Sequence, residues 1–451
     1  MYLVGRDEAR LAIDSAHKAF EAWSEMPAPK RGELLFKAMH ILERRKEEVA
    51  MALHLEEGKL LPEALGEVQK SLNILEFIAG EGRRLGGQTV PSELPNTFCY
   101  TLKQPLGVVG LITPWNFPVA IPIWKMAPAL IAGNTVVLKP ASNTPWTAAL
   151  ITEIFVEAGF PAGVVNMVLG PGSSVGDEIV NNPKVRALSF TGSNQVGQDL
   201  YKQGAARGVK VQCEMGGKNP IVILEDADLD LAVEATVQGA FGSTGQRCTA
   251  TSRAVVMEEV ADAFVEKLVA RAAEIRCGVD MGPVVDSAQF KEVLAAIEQA
   301  KAEGCKCLIG GGPASEGELA KGFYVQPTIF DNVPRNSQLA LEEVFGPVLA
   351  VLRVKDLDDA LEVANSVRYG LSSSIYSKDT NRVFRFIEKI ETGITHVNSP
   401  TMGGEAQLPF GGVKDTGVGA REQGSVAIDF FTELKTVYID FTGQKRESKI
   451  Y

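Results

Sequence analysis

The hydrophobic rhythm changes twice along the chain. Across residues 7–56 apolar side chains recur every three or four positions. Ile13, Ala16, Phe20 and Trp23 form one stripe, and Leu34, Leu35, Ala38, Ile41 and Leu42 another. That spacing predicts amphipathic helices with one buried face. A third helix is expected over 64–79. Gly86–Gln104 alternates instead, with Pro91 and Pro95 as turn residues, and predicts strands.

After Gly107 short apolar runs take turns with helical segments. The predicted strands are Val108–Thr113, Thr135–Leu138, Val164–Leu169 and Val185–Phe190. The predicted helices are Ala120–Ala132, Pro145–Ala158 and a segment ending near Asn181. Strands without a polar face imply a parallel sheet covered on both sides by helices. A second unit follows Pro220, with strands at Ile221–Leu224, Arg253–Met257, Val348–Val354, Ser372–Ser377 and Gly393–Val397. Its helices are expected over 259–275, 287–304, 357–367 and 380–391. Ile428–Asp440 reads as a closing strand. The simplest partition is two α/β units with one joint near Glu214–Pro220.

Composition narrows the function. The 451 residues imply two or three domains at about 150 residues each and exclude a small disulfide scaffold. Lys plus Arg number 45 and Asp plus Glu 56, a net charge of −11, which opposes nucleic-acid binding. No apolar run reaches the roughly 18 residues of a membrane span. Met1–Asp7 shows no secretory pattern, so a cytoplasmic protein with neither nucleic-acid nor membrane partners is expected. There are six cysteines, no CxxC pair and four histidines without an HxxxH spacing. A metal site and a Ser/His hydrolase are therefore not expected. The sparse cysteines fit a reducing compartment.

Chemistry then falls first to cysteine. Cys248 stands in Gly242-Ser243-Thr244-Gly245-Gln246-Arg247-Cys248-Thr249, a small and polar setting that reads as a loop. An adjacent Arg and backbone N–H groups favour a thiolate. The alternative is an ordinary packed thiol. Glu214, beside Gly216-Gly217, lies at a strand end and is either a general base or a solvated loop residue. Asn116, in Thr113-Pro114-Trp115-Asn116-Phe117-Pro118, is placed to donate to an oxyanion or is a turn residue between prolines. Lys139, at the end of the second sheet strand, suits ribose hydroxyls or a phosphate. Phe190-Thr191-Gly192-Ser193 joins a strand to a helix and can hold a pyrophosphate at the helix N-terminus.

Taken together, the strings TPWNFP (113–118), LKPAS (138–142), FTGS (190–193), EMGGKNP (214–220), GQRCTA (245–250), EEVFGP (342–347) and PFGGVKDTG (409–417) resemble the aldehyde dehydrogenase superfamily. Residues 118–130 and 242–253 look most similar to bacterial semialdehyde dehydrogenases, in particular the α-ketoglutaric semialdehyde (2,5-dioxopentanoate) group. The resemblance implies an α/β fold. A Rossmann-like parallel-sheet cofactor domain would span 1–85 and 106–216, an α/β catalytic domain 217–415, and a small β oligomerisation element 86–105 and 428–451. Against the family pattern the N-terminal segment lacks the usual opening strands, and the chain is several residues short between Ile275 and Met281.

By motif, the resemblance implies Cys248 as nucleophile, Glu214 as base and Asn116 as oxyanion donor, with Lys125 on a proton path near the base. Ile112, Trp115, Lys139, Ser142, Gly172, Gly192, Ser193, Glu343 and Phe345 would line the nucleotide site. Trp115 would flank the adenosine, Gly192 and Ser193 would lie under the pyrophosphate, and Glu343 and Phe345 would hold the nicotinamide ribose. The expected reaction is NAD(P)-dependent oxidation of an aldehyde, a dicarboxylic semialdehyde, to the acid through a cysteine thioester. Acylating relatives that pass the acyl group to coenzyme A lack the Glu214 carboxylate, so its presence favours hydrolysis. Ser142 stands where many NAD-preferring relatives carry Glu, which favours NADP, with NAD also accepted. Trp124 would line the aldehyde tunnel, in place of the Arg common in succinate semialdehyde enzymes, and Ser399–Gln407 its entrance. Cys213 would pack beneath the site. Glu433 would pair with Arg421 near a subunit contact in a homodimer or homotetramer. The remaining alternatives are a succinate semialdehyde or broad-range dehydrogenase, a thioesterase-like hydrolase, and a non-catalytic relative.

Overall fold

A computed structural model describes residues 3–444. Residues 1–2 and 445–451, the outer ends of the expected 1–85 and 428–451 segments, lie outside the described residues. The chain opens with four helices, α1 (Arg6–Glu25), α2 (Ala28–Arg44), α3 (Lys46–Glu57) and α4 (Leu61–Glu81). The stripes read from the sequence are the buried faces: Ile13, Ala16 and Trp23 on α1, and Leu35, Ala38, Ile41 and Leu42 on α2. The stretch 7–56 divides into three helices, so the segment expected as the third helix is the fourth.

Strands β1 (Thr89–Pro91) and β2 (Thr97–Pro105) follow. Next come β3 (Val108–Ile112), α5 (Ala120–Ala132), β4 (Thr135–Lys139), α6 (Pro145–Glu157), β5 (Val165–Met167), α7 (Asp177–Asn181), β6 (Val185–Thr191), α8 (Asn194–Ala206) and β7 (Lys210–Glu214). The second run is β8 (Asn219–Ile223), α9 (Leu229–Phe241), β9 (Thr251–Met257), α10 (Glu258–Ala272), α11 (Ser287–Ala302), β10 (Lys306–Ile309), β11 (Thr328–Asp331), α12 (Gln338–Leu341), β12 (Val348–Val354), α13 (Leu357–Asn365), β13 (Tyr369–Gly370), β14 (Ser372–Tyr376), α14 (Thr380–Lys389) and β15 (Ile394–Val397). The described chain closes with β16 (Val413–Lys414), β17 (Gly417–Val418), α15 (Ala427–Phe430) and β18 (Thr432–Asp440).

The first large sheet has the order β17-β7-β6-β3-β4-β5. Strands β3 to β7 run parallel, and β17 adds an antiparallel edge. The chain steps outward from β3 to β5, then returns to the other side of β3 as β6. That reversal opens a crevice beyond the carboxyl ends of β3 and β6, where doubly wound sheets bind ligands. The second large sheet, β10-β11-β12-β9-β8-β14-β15, is parallel except for the edge pair β10–β11. Apolar clusters cover both faces of each sheet. The third sheet, β1-β2-β18, pairs β18 along β2 from Thr432↔Pro105 to Asp440↔Thr97.

Helix α9 and strands β10 and β11 were not anticipated. Strand β10 is a half-exposed edge with a register shift between Cys307 and Ile309, so it carries no apolar run to read. The expected strand Ile428–Asp440 begins as the helical turn α15, because Ile428 and Phe430 turn into the core while β18 lies largely exposed. Among the described residues no helix is long and apolar enough to cross a membrane.

Candidate active site

Cys248 lies half-buried between α9 and β9, on a loop whose backbone is forced into an uncommon shape. Ser243, Thr244 and Gly245 all have left-handed φ, at 49°, 59° and 67°. That region is costly for Thr, whose Cβ is branched. A side chain at Gly245 would put its Cβ 2.2 Å from the Gly346 carbonyl oxygen, so only glycine fits there. Hydrogen bonds hold the rest. The Ser243 N–H donates to Glu63 Oε1 (2.6 Å) and the Thr244 hydroxyl to the Gly282 carbonyl (3.0 Å). Arg247 donates from Nε and Nη2 to Ser243 Oγ (2.9 and 2.7 Å).

Two asparagines fix the sulfur's neighbourhood. Asn116 Nδ2 donates to the Gln246 carbonyl at 3.0 Å, which leaves its second amide hydrogen free. Asn219 Nδ2 donates to the Cys248 carbonyl at 2.8 Å. Gly217 permits that approach, since a Cβ there would stand 2.6 Å from the same carbonyl oxygen.

The loop carrying Asn116 is itself anchored from below. Lys59 Nζ donates to the Asn116 carbonyl (2.6 Å) and to Glu67 Oε2 (2.6 Å). Glu67 Oε1 accepts the N–H groups of Val119 and Ala120 (2.8 and 3.1 Å) and so caps the start of α5. Both charged side chains are buried. Sequence reading passed over this pair. The available signal was a glutamate on the buried stripe of α4, beside Ala64, Val68, Ser71 and Leu72.

Glu214 ends β7, buried, with the Gly412 N–H donating to Oε2 at 3.4 Å. Burial, then the Glu422 carboxylate, pushes its carboxyl well above the usual range, opposed by Arg421 and Lys125. Lys125, on α5, forms a buried ion pair with Glu422 and donates to Ser189 Oγ at 2.8 Å. Glu422 was not singled out from the sequence; its second oxygen, Oε2, is buried without a hydrogen-bond partner. The Cys248 thiol is pushed up to about 12 by burial and by the Glu343 and Glu214 carboxylates, with Lys70 opposing. Cys213, expected beneath the site, instead turns toward α8, where its thiol meets the Gly197 carbonyl.

The crevice at β3 and β6 gathers Ile112, Lys139, Gly192 and Ser193. Ile112 pairs with Lys139 on one side and Phe190 on the other. The Thr113 and Thr191 hydroxyls at these strand ends are buried without partners. Ser193 precedes α8 but caps none of its first-turn N–H groups. Lys139 Nζ reaches only the neighbouring Pro140 carbonyl, at 3.3 Å. Ser142 and Gly172 are exposed. Idle donors of this kind fit the phosphates and ribose of a dinucleotide. Glu343 Oε1 accepts the Gly217 N–H at 2.9 Å, and burial raises its carboxyl to about 7.

Two expectations need correction. Trp115 and Phe345 are expected at opposite ends of the nucleotide, but their rings meet edge-to-face at 5.5 Å between centroids, too close for that separation. Glu433 pairs with Lys210 at 3.2 Å. Its expected partner Arg421 instead donates to the Gly412 carbonyl, beside Glu214, because the sheet edge carries residue 421 toward the base. Arg247 and Arg253, the two arginines nearest Cys248 in sequence, both turn to structural partners. Arg253 is buried and donates only to the carbonyls of Lys218, Val363 and Ala364.

Trp124, on α5, packs on Phe410 at 5.4 Å between ring centroids. Met402, in the loop 399–407, lies 3.3 Å from Arg247 through its sulfur.

The aldehyde dehydrogenase family pattern matches residues 1–437. The chain is 47% identical over 439 residues to the α-ketoglutaric semialdehyde dehydrogenase of Bacillus subtilis (strain 168), covering 96% of this chain and 90% of that protein. The crystal structure of Staphylococcus aureus betaine aldehyde dehydrogenase with NAD+ superimposes with a TM-score of 0.96 at 33% identity, over 99% of this chain and 89% of that one. An Escherichia coli NADP-dependent enzyme gives 0.94 at 38% identity, over 97% and 91%. The chain belongs to the aldehyde dehydrogenase family and is an NAD(P)-dependent enzyme that oxidises an aldehyde to the acid.

Proposed function

We propose that Cys248 is the nucleophile, Asn116 the oxyanion donor and Glu214 the base for oxidation of a dicarboxylic semialdehyde. One observation carries this assignment: the Asn116 amide meets the Cys248 loop while the buried Glu214 carboxylate lies close enough to shift the thiol. The Cys248 thiol gives its proton to the Glu214 carboxylate, which passes it to the Lys125–Glu422 pair, and the sulfur bonds to the aldehyde carbon as the carbonyl electrons move onto oxygen. The spare Asn116 amide hydrogen and the Cys248 N–H stabilise the oxyanion. When bound, the oxidised nicotinamide supplies a positive charge and accepts the hydride, and a thioester on Cys248 remains. Glu214 then takes a proton from water. The water oxygen bonds to the acyl carbon, and the sulfur leaves as thiolate. The buried Lys125–Glu422 pair, whose charges both act on Glu214, carries that proton outward.

The likeness to the Bacillus enzyme supports an α-ketoglutaric semialdehyde substrate. Lys139, which has no carboxylate partner among the described residues, and the hydroxyl at Ser142 support NADP, with NAD also accepted. Trp115, Glu343 and Phe345 would take the nicotinamide ribose, and Ile112, Gly172, Gly192 and Ser193 the rest of the dinucleotide. The three larger sheets support a cofactor domain at 1–85 and 106–216, a catalytic domain at 217–415 and an oligomerisation element at 86–105 and 428–451. Exposed Phe98, Leu434 and Tyr438 on that element support a homodimer or homotetramer. A cytoplasmic location agrees with an essential thiol. Absorbance of reduced nicotinamide, with NAD and NADP against a panel of aldehydes, tests the reading. It requires α-ketoglutaric semialdehyde to exceed neutral aldehydes of equal length in kcat/KM, and an equal rate for both classes rejects it.

A further inference from the structure

A dicarboxylic semialdehyde brings a second carboxylate into the tunnel, and an apolar tunnel must supply a cation for it. Four cationic side chains come into question for that role: Arg253, Arg247, Arg84 and Lys70. Arg253 is buried against backbone carbonyls. Arg247 is committed to Ser243, with Glu63 at 3.7 Å. Arg84 pairs with Glu81. Lys70 differs. It lies half-buried on α4, and among the described residues it forms no ion pair.

Its amine is held by position. Lys70 Nζ donates to the Gly404 carbonyl at 3.1 Å and stands 5.3 Å from the Trp124 ring centroid and 5.9 Å from that of Phe410. It faces a cavity of about 980 Å³ also lined by Asn73, Glu405 and Gln407. The loop bearing Gly404 reaches back through Met402 to Arg247, next to the nucleophile. Burial lowers this amine to about 8, while a charge on Cys248 raises it. The site thus holds an amine that burial disfavours and the Glu67 carboxylate supports from a distance, against two aromatic faces and with no ion pair among the described residues.

We propose that Lys70 recognises the distal carboxylate of the substrate and so sets the preference for an anionic aldehyde. This rests on the dicarboxylic semialdehyde reading above. An anion beside Nζ replaces the hydration that the tunnel wall removes, and an alkyl aldehyde offers no such partner. Lys70 is a specificity residue and touches none of the reacting atoms.

The test compares the wild type, Lys70→Met and Lys70→Arg on α-ketoglutaric semialdehyde and on pentanal, with saturating nucleotide. Methionine keeps the length and apolar stem, so packing on Trp124 and Phe410 is retained, and thermal unfolding checks the fold. Lys70→Met is expected to raise KM for the anionic aldehyde by about 10- to 100-fold, with kcat within about threefold. KM for pentanal should stay the same or fall. Lys70→Arg should recover part of the anionic preference, and glutarate should inhibit the wild type competitively but not Lys70→Met. If Lys70→Met retains the anionic preference, or weakens both aldehydes equally, the inference is overturned. A wild type that shows no anionic preference overturns the substrate reading itself, which separates the two failures.

Discussion

The two regions that the proposed function assigns to acyl transfer and to nucleotide binding are built on opposite terms. On the acyl-transfer side the positioning groups already have partners. Asn116 is tied to Gln246 and to Lys59, Lys59 to Glu67, and Glu67 to the start of α5. In the nucleotide crevice the polar groups wait. Among the described residues the Thr113 and Thr191 hydroxyls have no partners, and Lys139 reaches only a neighbouring carbonyl. The difference follows from what each cleft must do. Groups that stabilise a developing charge work best when fixed beforehand, because nothing then reorganises during reaction. Groups that bind a large diffusible dinucleotide gain most when its phosphates and hydroxyls are their first good partners.

If that contrast is right, damage to the fixed side should cost far more than damage to the waiting side. Cys248→Ala should remove turnover by at least about 10⁴-fold, read as reduced nicotinamide, while nucleotide binding persists. Near-normal turnover would remove Cys248 from the mechanism. Glu214→Gln should leave a burst of one equivalent and slow the steady rate by about 10²- to 10³-fold. Because burial raises the Glu214 carboxyl, it is protonated and idle at acid pH and becomes a base only as pH rises. The wild-type steady rate should therefore climb with pH through an apparent value well above the usual carboxylate range, and Glu214→Gln should flatten that limb. The anchor below Asn116 comes next. Lys59→Met leaves Glu67 buried without its counter-charge, which should cost about 3–5 kcal/mol of stability. A displaced Asn116 should also lower kcat by about 10²-fold. A variant with wild-type kcat would show that the Asn116 loop does not need this support.

The sequence disclosed these regions unevenly. Strands β3, β4 and β6 could be read because each is mostly buried and carries a run of apolar residues, interrupted on β6 by the exposed Arg186. Helix α5 could be read to its ends, although it is buried all round and carries Pro128 inside. Strand β10 could not, since a short edge strand has no continuous apolar run. Cys248, Glu214 and Asn116 stood out by residue type at strand ends and in a loop, and the family strings gave each a role. Their supports stayed hidden. Lys59, Glu67, Glu422 and Lys70 lie far from these strings in sequence or outside them, and only folding sets Lys125 against Glu422 across 297 positions. The direction of a long side chain was equally unreadable, as Arg421, Arg247 and Arg253 show.

The smallest expected effect falls on the waiting side, at Ser142. This residue is exposed near Lys139, and no contact of its own holds the crevice together. Ser142→Glu adds a carboxylate where a 2′-phosphate would lie. Repulsion of about 1.4 kcal/mol corresponds to one tenfold step in affinity. The kcat/KM with NADP should therefore fall by about tenfold, mostly through KM. With NAD it should change by no more than about twofold, since ribose hydroxyls can accept a carboxylate partner. Stability should be unaltered, because no buried bond is broken. Equal losses with both nucleotides would mean that residue 142 shapes the crevice and does not read the phosphate. A fall in kcat as well would mean that the crevice is as fixed as the acyl-transfer side, and the contrast between the two clefts would not hold.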